Sequence, residues 1–300
     1  MLDEGVHQFT ALYLASLPSA YAAAKGVHVL WLTARLQDDP ERRLNETAQF
    51  LMDVTAPGSF DPGGAAVGRV LHVRLMHAAI RWLIDHDPRV ERPADADPGA
   101  PPGRPLWATS WGRPLNQEDL AGTMLTFTTV VFEAFRRSGL DVTGADDSLH
   151  LWLVIAHLLG VRDELLPPDL ASANELQRII FGRQHAPSVV GADLTATLLG
   201  LVDDRLPGPI AGLAPAMLRR YIGDEVADMI AVPRERWAGP MLDVLVWLTR
   251  LMTLGRRADP VPRWVSARVG RWFLDGLLRS GRHGERVPFD IPDSLGGLRR

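Results

Sequence analysis

One helical turn separates His77 from Arg81 in the segment Arg74-Leu75-Met76-His77-Ala78-Ala79-Ile80-Arg81. Side chains at i and i+4 share a helix face, and apolar Val70, Val73, Leu75, Ile80, Leu83 and Ile84 crowd the same stretch. An imidazole held among apolar residues, with a guanidinium one turn on, suits an axial ligand to haem iron. The ring would coordinate the metal, and the arginine would pair with a propionate or act from the surrounding shell. The same pattern also describes a core histidine satisfied by its neighbours, and spacing alone leaves both readings standing.

The other candidate constellations are weaker. His150 and His157 are seven residues apart on one helix face with Trp152 between them; they read as a pocket wall or as buried, satisfied histidines. His72 and His77 fall on different faces. No His-Glu-x-x-His, Gly-x-Ser-x-Gly or phosphate-binding glycine motif occurs, which argues against a zincin, an α/β-hydrolase and a nucleotide-binding enzyme. The pairs Asp38-Asp39, Asp146-Asp147 and Asp203-Asp204 each lack the further aspartate at helical offset that a magnesium-diphosphate site requires. Repeated Glu-x-x-His motifs of a di-iron bundle are also missing. The chain has no cysteine, so thiolate zinc sites, iron–sulfur clusters, thiolate-ligated haem and Cys-x-x-Cys-His attachment are excluded. Any haem is therefore held by histidine and shape. A net charge of -4 gives no electrostatic case for nucleic acid.

Helices must position these residues. Apolar residues recur at helical spacing over 9–36, 41–55, 64–86, 116–138, 147–160, 170–184, 191–203, 211–231, 236–255 and 262–280. No alternating run bounded by hairpin turns appears. The fold class is all-α, one globular helical domain over 1–282 with a loosely packed tail over 283–300. Asn116, followed by Gln117, Glu118 and Asp119, reads as a helix cap with acids at the positive end. Asp39-Pro40-Glu41 opens an earlier helix with proline in the first turn. Pro93, Pro98, Pro101, Pro102 and Pro105 mark 89–114 as a long loop carrying Trp107 and Trp111. It reads as an irregular excursion or as a lid whose tryptophans cover an apolar site. The apolar stretch 11–34 contains Lys25, the only lysine, and is interrupted by Pro18, Gly26 and His28; a buried helix or two short ones fit it better than a membrane span. The acidic start Met1-Leu2-Asp3-Glu4 lacks the basic character of a secretory signal, and a cytoplasmic location is the default expectation.

Several segments in order carry a family resemblance. Glu41-Arg42-Arg43-Leu44-Asn45-Glu46-Thr47 precedes the Arg74–Arg81 segment by about thirty residues. Pro114-Leu115-Asn116-Gln117-Glu118-Asp119-Leu120, Thr126-Phe127, Trp152-Leu153-Val154 and Leu158-Leu159-Gly160-Val161 follow. In order and spacing over roughly 10–250 the chain resembles the family of the latex-clearing rubber oxygenases and the MpaB-type oxygenases of fungal meroterpenoid pathways. The resemblance implies a globin-like helical core with non-covalent haem b, His77 as the proximal ligand, and Arg43, Thr47 and Arg81 around the haem. It also implies dioxygen as co-substrate and an apolar, isoprenoid-like or other alkene-containing small molecule as substrate. Two departures bear on mechanism. Glu46 stands where the rubber oxygenases carry a lysine that caps the distal face of the iron. They also place a glutamate from the preceding helix at the distal site, whereas this chain has no Asp or Glu between Glu4 and Asp38. Glu46 and Thr47 are thus the candidate catalytic residues: Glu46 as an ionisable distal group able to accept a proton from an allylic carbon, or as a solvated acid paired with Arg43 at i, i+3. A haem-binding sensor or carrier without turnover, and a helical scaffold without cofactor, are the competing readings.

Overall fold

A computed structural model describes residues 11–33, 40–86, 107–139, 142–203, 213–235, 238–239 and 241–243. Among the described residues the chain is helical, with no strand and one isolated antiparallel bridge between Ala23 and His185. A π-turn, Leu12–Ser16, leads into α1 (Leu17–Tyr21) and α2 (Val27–Leu32). Then follow α3 (Pro40–Thr55), α4 (Ala66–His86), α5 (Gln117–Phe127), α6 (Thr129–Arg137) and α7 (Ala145–Leu159). The series continues with α8 (Leu170–Gln184), α9 (Val189–Asp203), α10 (Leu213–Ile222) and α11 (Asp224–Met229). None of these helices is long and apolar enough to cross a membrane. The expected helices 236–255 and 262–280, and the tail 283–300, lie largely or wholly outside the described residues.

Helix starts follow the local chemistry. Pro40 occupies the first position of α3, where its missing N–H costs nothing. At α5 the Asn116 side chain accepts from the Glu118 and Asp119 amides, and the Asp119 carboxylate accepts from the Asn116 amide, a complete capping box. Two expected helices are broken, and the stretch 9–36 divides at residues 22–26, between α1 and α2, in line with the reading of it as short helices. At Thr128 the backbone leaves helical values, and the Thr128 and Thr129 hydroxyls donate back to the Met124 and Leu125 carbonyls, competing with the main-chain ladder. Gly223, at φ +87, separates α10 from α11.

Two large apolar clusters make up most of the interior. One joins α1, α2, α4, α9 and α10 with Trp107 and Trp111. The other joins α3, α5, α7 and α8. Fully buried side chains such as Ile155 and Leu125 contribute roughly 1.5–3 kcal/mol each relative to exposure. The two tryptophans meet edge to face at 5.3 Å, and the Trp107 indole donates to the Gly112 carbonyl. They are core residues of the first cluster, and the loop's residues 87–106 lie outside the described residues.

Contacts within each cluster, and one set across the seam between them, hold the helices in place. A Cβ on Gly191 would stand 2.5 Å from the Tyr21 carbonyl, so α9 approaches α1 this closely only through glycine. The Gln117 side chain donates to the Gly160 carbonyl at 2.9 Å and accepts from the Arg162 amide at 2.8 Å, tying the start of α5 to the end of α7. The Ala24 amide donates to the Gln184 carbonyl, and the Ala186 amide to the Ala22 carbonyl, which pins the end of α8 against the α1–α2 link.

Candidate functional site

A cavity of ≈ 240 Å³ lies at the seam, drawing its walls from both clusters. Each helix contributes residues at helical spacing. Leu44, Thr47 and Phe50 come from α3, and Val73, Met76 and His77 from α4. Leu120, Met124 and Phe127 come from α5, and Trp152, Ile155, Ala156 and Leu159 from α7. Phe127 and Trp152 stack at 4.9 Å with an interplanar angle of 8°. Ile180, Phe181, Gln184 and His185 close the α8 side. The volume is a little below the roughly 300–1,000 Å³ of pockets that enclose drug-sized ligands. Met76 and Met124 in its wall are unbranched and can change rotamer to admit more.

His77 and Thr47 both line this cavity. Arg81 does not: its guanidinium donates to the carbonyls of Pro114 at 3.1 Å and Leu115 at 2.7 Å, clamping α4 to the turn before α5. Leu115, which does line the cavity, sits in that turn at φ +52. Glu46 is 1 % exposed and lies outside the cavity wall. The backbone of Arg43 lies in α3, and its side chain falls outside the described residues. His150 and His157 point away from the cavity, both exposed, with His157 Nδ1 3.0 Å from Asp163. Of that trio only Trp152 forms a pocket wall, because residue 152 faces the opposite side of α7.

The cavity also has a polar end that the motifs did not reveal. Glu118, Asp119, Gln184 and His185 line it where α5 begins and α8 ends. Burial is the main cause that lifts the Asp119 carboxyl from 3.8 to about 6, reinforced by the Glu118 charge and opposed by the Asn116 amide, Lys25 and Arg81. Burial lowers the His185 imidazole to about 4, so the ring is neutral near pH 7. It stacks on Phe181 at 4.2 Å. Glu118 pairs with Arg183 at 3.1 Å. The sequence showed Glu118 and Asp119 as capping acids; neither stands three or four residues from Leu120 or Met124, so the apolar spacing of α5 gave no sign that they also face inward.

Among the described residues no three His, Cys, Asp or Glu side chains come together as a metal-binding set. His77 is instead one imidazole in an apolar wall. That donor set suits a metal that arrives with its own in-plane ligands, as iron does in a porphyrin, and apolar walls suit the macrocycle.

Residues 6–274 match the family described as ER-bound oxygenase mpaB/B′/Rubber oxygenase, catalytic domain. The chain is 29% identical over 265 residues to a rubber oxygenase of Streptomyces sp. (strain K30), an alignment covering 85% of this chain and 60% of that protein. The chain thus spans about 60% of the length of that curated relative. A solved structure of latex clearing protein in its closed state superposes with a TM-score of 0.68 at 24% identity, covering 97% of this chain and 77% of that one; the likeness is one of fold.

Proposed function

Since the chain belongs to the family of mpaB/B′-type and rubber-oxygenase catalytic domains, we propose that it is a haem b-dependent oxygenase using dioxygen on an apolar, alkene-containing small molecule of isoprenoid-like character. The observation that carries this reading is the His77 imidazole set in the wall of an apolar cavity. In this reading residues 1–282 form one haem-binding domain with a globin-like core, His77 is the iron ligand, and Thr47 lies beside the haem. Arg43 and Arg81 pair with propionates or support the ligand shell. Bound haem b would supply the iron that activates dioxygen.

The chain's own residues do the rest. The walls from α3, α5 and α7 exclude water and hold an apolar chain by shape, since such a chain offers almost nothing to hydrogen-bond. The Thr47 hydroxyl supplies a polar group within the wall. Arg81 keeps Leu115 and the start of α5 against α4. The Glu46 carboxyl is buried on the helix that also carries Thr47 but lies outside the cavity wall, so in this reading it acts on the site through its neighbours and not by direct contact with the substrate.

The test is dioxygen consumption by purified protein with a panel of isoprenoid and other alkenes. Uptake that depends on one alkene and yields an oxygenated product supports the reading. Intact haem with no uptake across the panel would favour the sensor or carrier instead.

A further inference from the structure

We infer that Asp119, Gln184 and His185 form a head-group subsite that recognises a hydroxyl at one end of an otherwise apolar ligand. The inference rests on the reading of the cavity as a site for an apolar, isoprenoid-like molecule, and narrows it from a hydrocarbon to a hydroxyl-terminated chain.

Polar side chains are unevenly distributed around the cavity. The walls from α4 and α7 are apolar apart from His77, and the hydroxyls of Ser19, Thr47, Thr123 and Thr126 are spread over α1, α3 and α5, whereas the carboxylates, amide and imidazole of Glu118, Asp119, Gln184 and His185 gather where α5 begins and α8 ends. A pure hydrocarbon gains nothing from that end and would leave its groups desolvated without reward. Gln184 shows the consequence directly: its Oε1 is buried and has no hydrogen-bond partner among the described residues. A buried acceptor without a donor is costly, and a ligand donor would relieve it. The Asp119 carboxylate spends one oxygen on the Asn116 amide. Its other oxygen, Oδ1, faces Gly26, a cavity residue, 4.0 Å from where a Cβ would stand. The neutral ring of His185 can donate or accept.

Charge selects the kind of head. An anionic head would meet the carboxylates of Glu118 and Asp119. A cationic head would compete with charge already in place, since Lys25 and Arg81 act on Asp119 and Arg183 pairs with Glu118. A neutral donor satisfies Gln184 and Asp119 together, and a hydroxyl is the smallest such group. The subsite is held rigid. The capping box fixes Asp119, and the main-chain bonds between 184–186 and 22–24 fix Gln184 and His185. Preorganised polar groups discriminate well between a substrate hydroxyl and an analogue lacking it.

The test is equilibrium binding of farnesol, farnesyl methyl ether and farnesene to the purified holoprotein, measured by isothermal titration calorimetry. Farnesol binds about ten-fold more tightly than the other two, and Gln184→Leu reduces that preference to within about two-fold while farnesene affinity is retained. His185→Phe, which keeps the stack on Phe181, reduces it partly and serves as the second variant. Equal binding of all three ligands to wild type overturns the head-group subsite and leaves the apolar-cavity reading intact. A preference that survives both substitutions overturns it too. Failure of every ligand to bind sinks the apolar-ligand reading itself, and this inference with it.

Discussion

Replacing Asp119 with Asn reports directly on the burial of a carboxyl in the cavity wall. Its displacement from 3.8 to about 6 corresponds, at roughly 1.36 kcal/mol per unit, to about 3 kcal/mol. The sign follows from linkage. Below about pH 4 both folded and unfolded chains carry the protonated acid, and the group is neutral towards stability. As pH rises towards 6 the unfolded chain ionises first, so the folded state loses stability, and above 6 the full penalty persists. Asparagine keeps the shape and the oxygen that accepts from the Asn116 amide, and it carries no charge. Urea denaturation of wild type and Asp119→Asn across this range should therefore show equal stabilities near pH 4. The variant should gain progressively, reaching about 3 kcal/mol by roughly pH 7.5. A difference that is flat with pH, or a variant less stable than wild type at pH 7.5, would refute the argument and imply that Asp119 is well solvated or fully compensated by Lys25 and Arg81.

Two further outcomes follow from the residues around His77. Arg81→Met removes both hydrogen bonds to the Pro114 and Leu115 carbonyls; stability should fall by about 2 kcal/mol, and haem should transfer to apomyoglobin faster than from wild type. Unchanged transfer would leave Arg81 with a purely structural role at that turn. Glu46→Gln should alter the pH dependence of the ferric absorption spectrum and of dioxygen uptake; a spectrum and turnover identical to wild type from acid to alkaline pH would remove Glu46 from the chemistry.

The helices were legible where local chemistry acts alone. The proline at the start of α3 and the capping box at Asn116 are visible as residue types at fixed offsets, and the apolar spacing located α7 and α8 closely. The breaks at Thr128 and Gly223 were not. Each lies inside a continuous apolar pattern, and the pattern reports which face is buried rather than where the main-chain ladder stops. In the site, His77 and Thr47 were readable because α3 and α4 turn those positions towards one cavity. Arg81 was expected near the same cavity on the strength of i, i+4 spacing, yet its long side chain swings to the Pro114 and Leu115 carbonyls, a choice set by a loop distant in sequence. Gln184 and His185 carried no motif. They reach the site through main-chain bonds to residues 22–24, more than a hundred and fifty positions away, and no local pattern encodes such a pairing. The His150–His157 pair shows the opposite failure: a shared helix face was identified, but that face is the one α7 turns to solvent.

The central claim is that His77 ligates haem iron within the apolar cavity. Absorption spectra of freshly purified wild type and His77→Ala, with circular dichroism on both, test it most directly. Wild type should show a Soret band, and the variant should keep its helical signal with little or no Soret absorption. A folded His77→Ala protein with full haem occupancy and an unchanged spectrum would contradict the claim, as would a wild-type protein that neither carries haem as purified nor takes it up on titration.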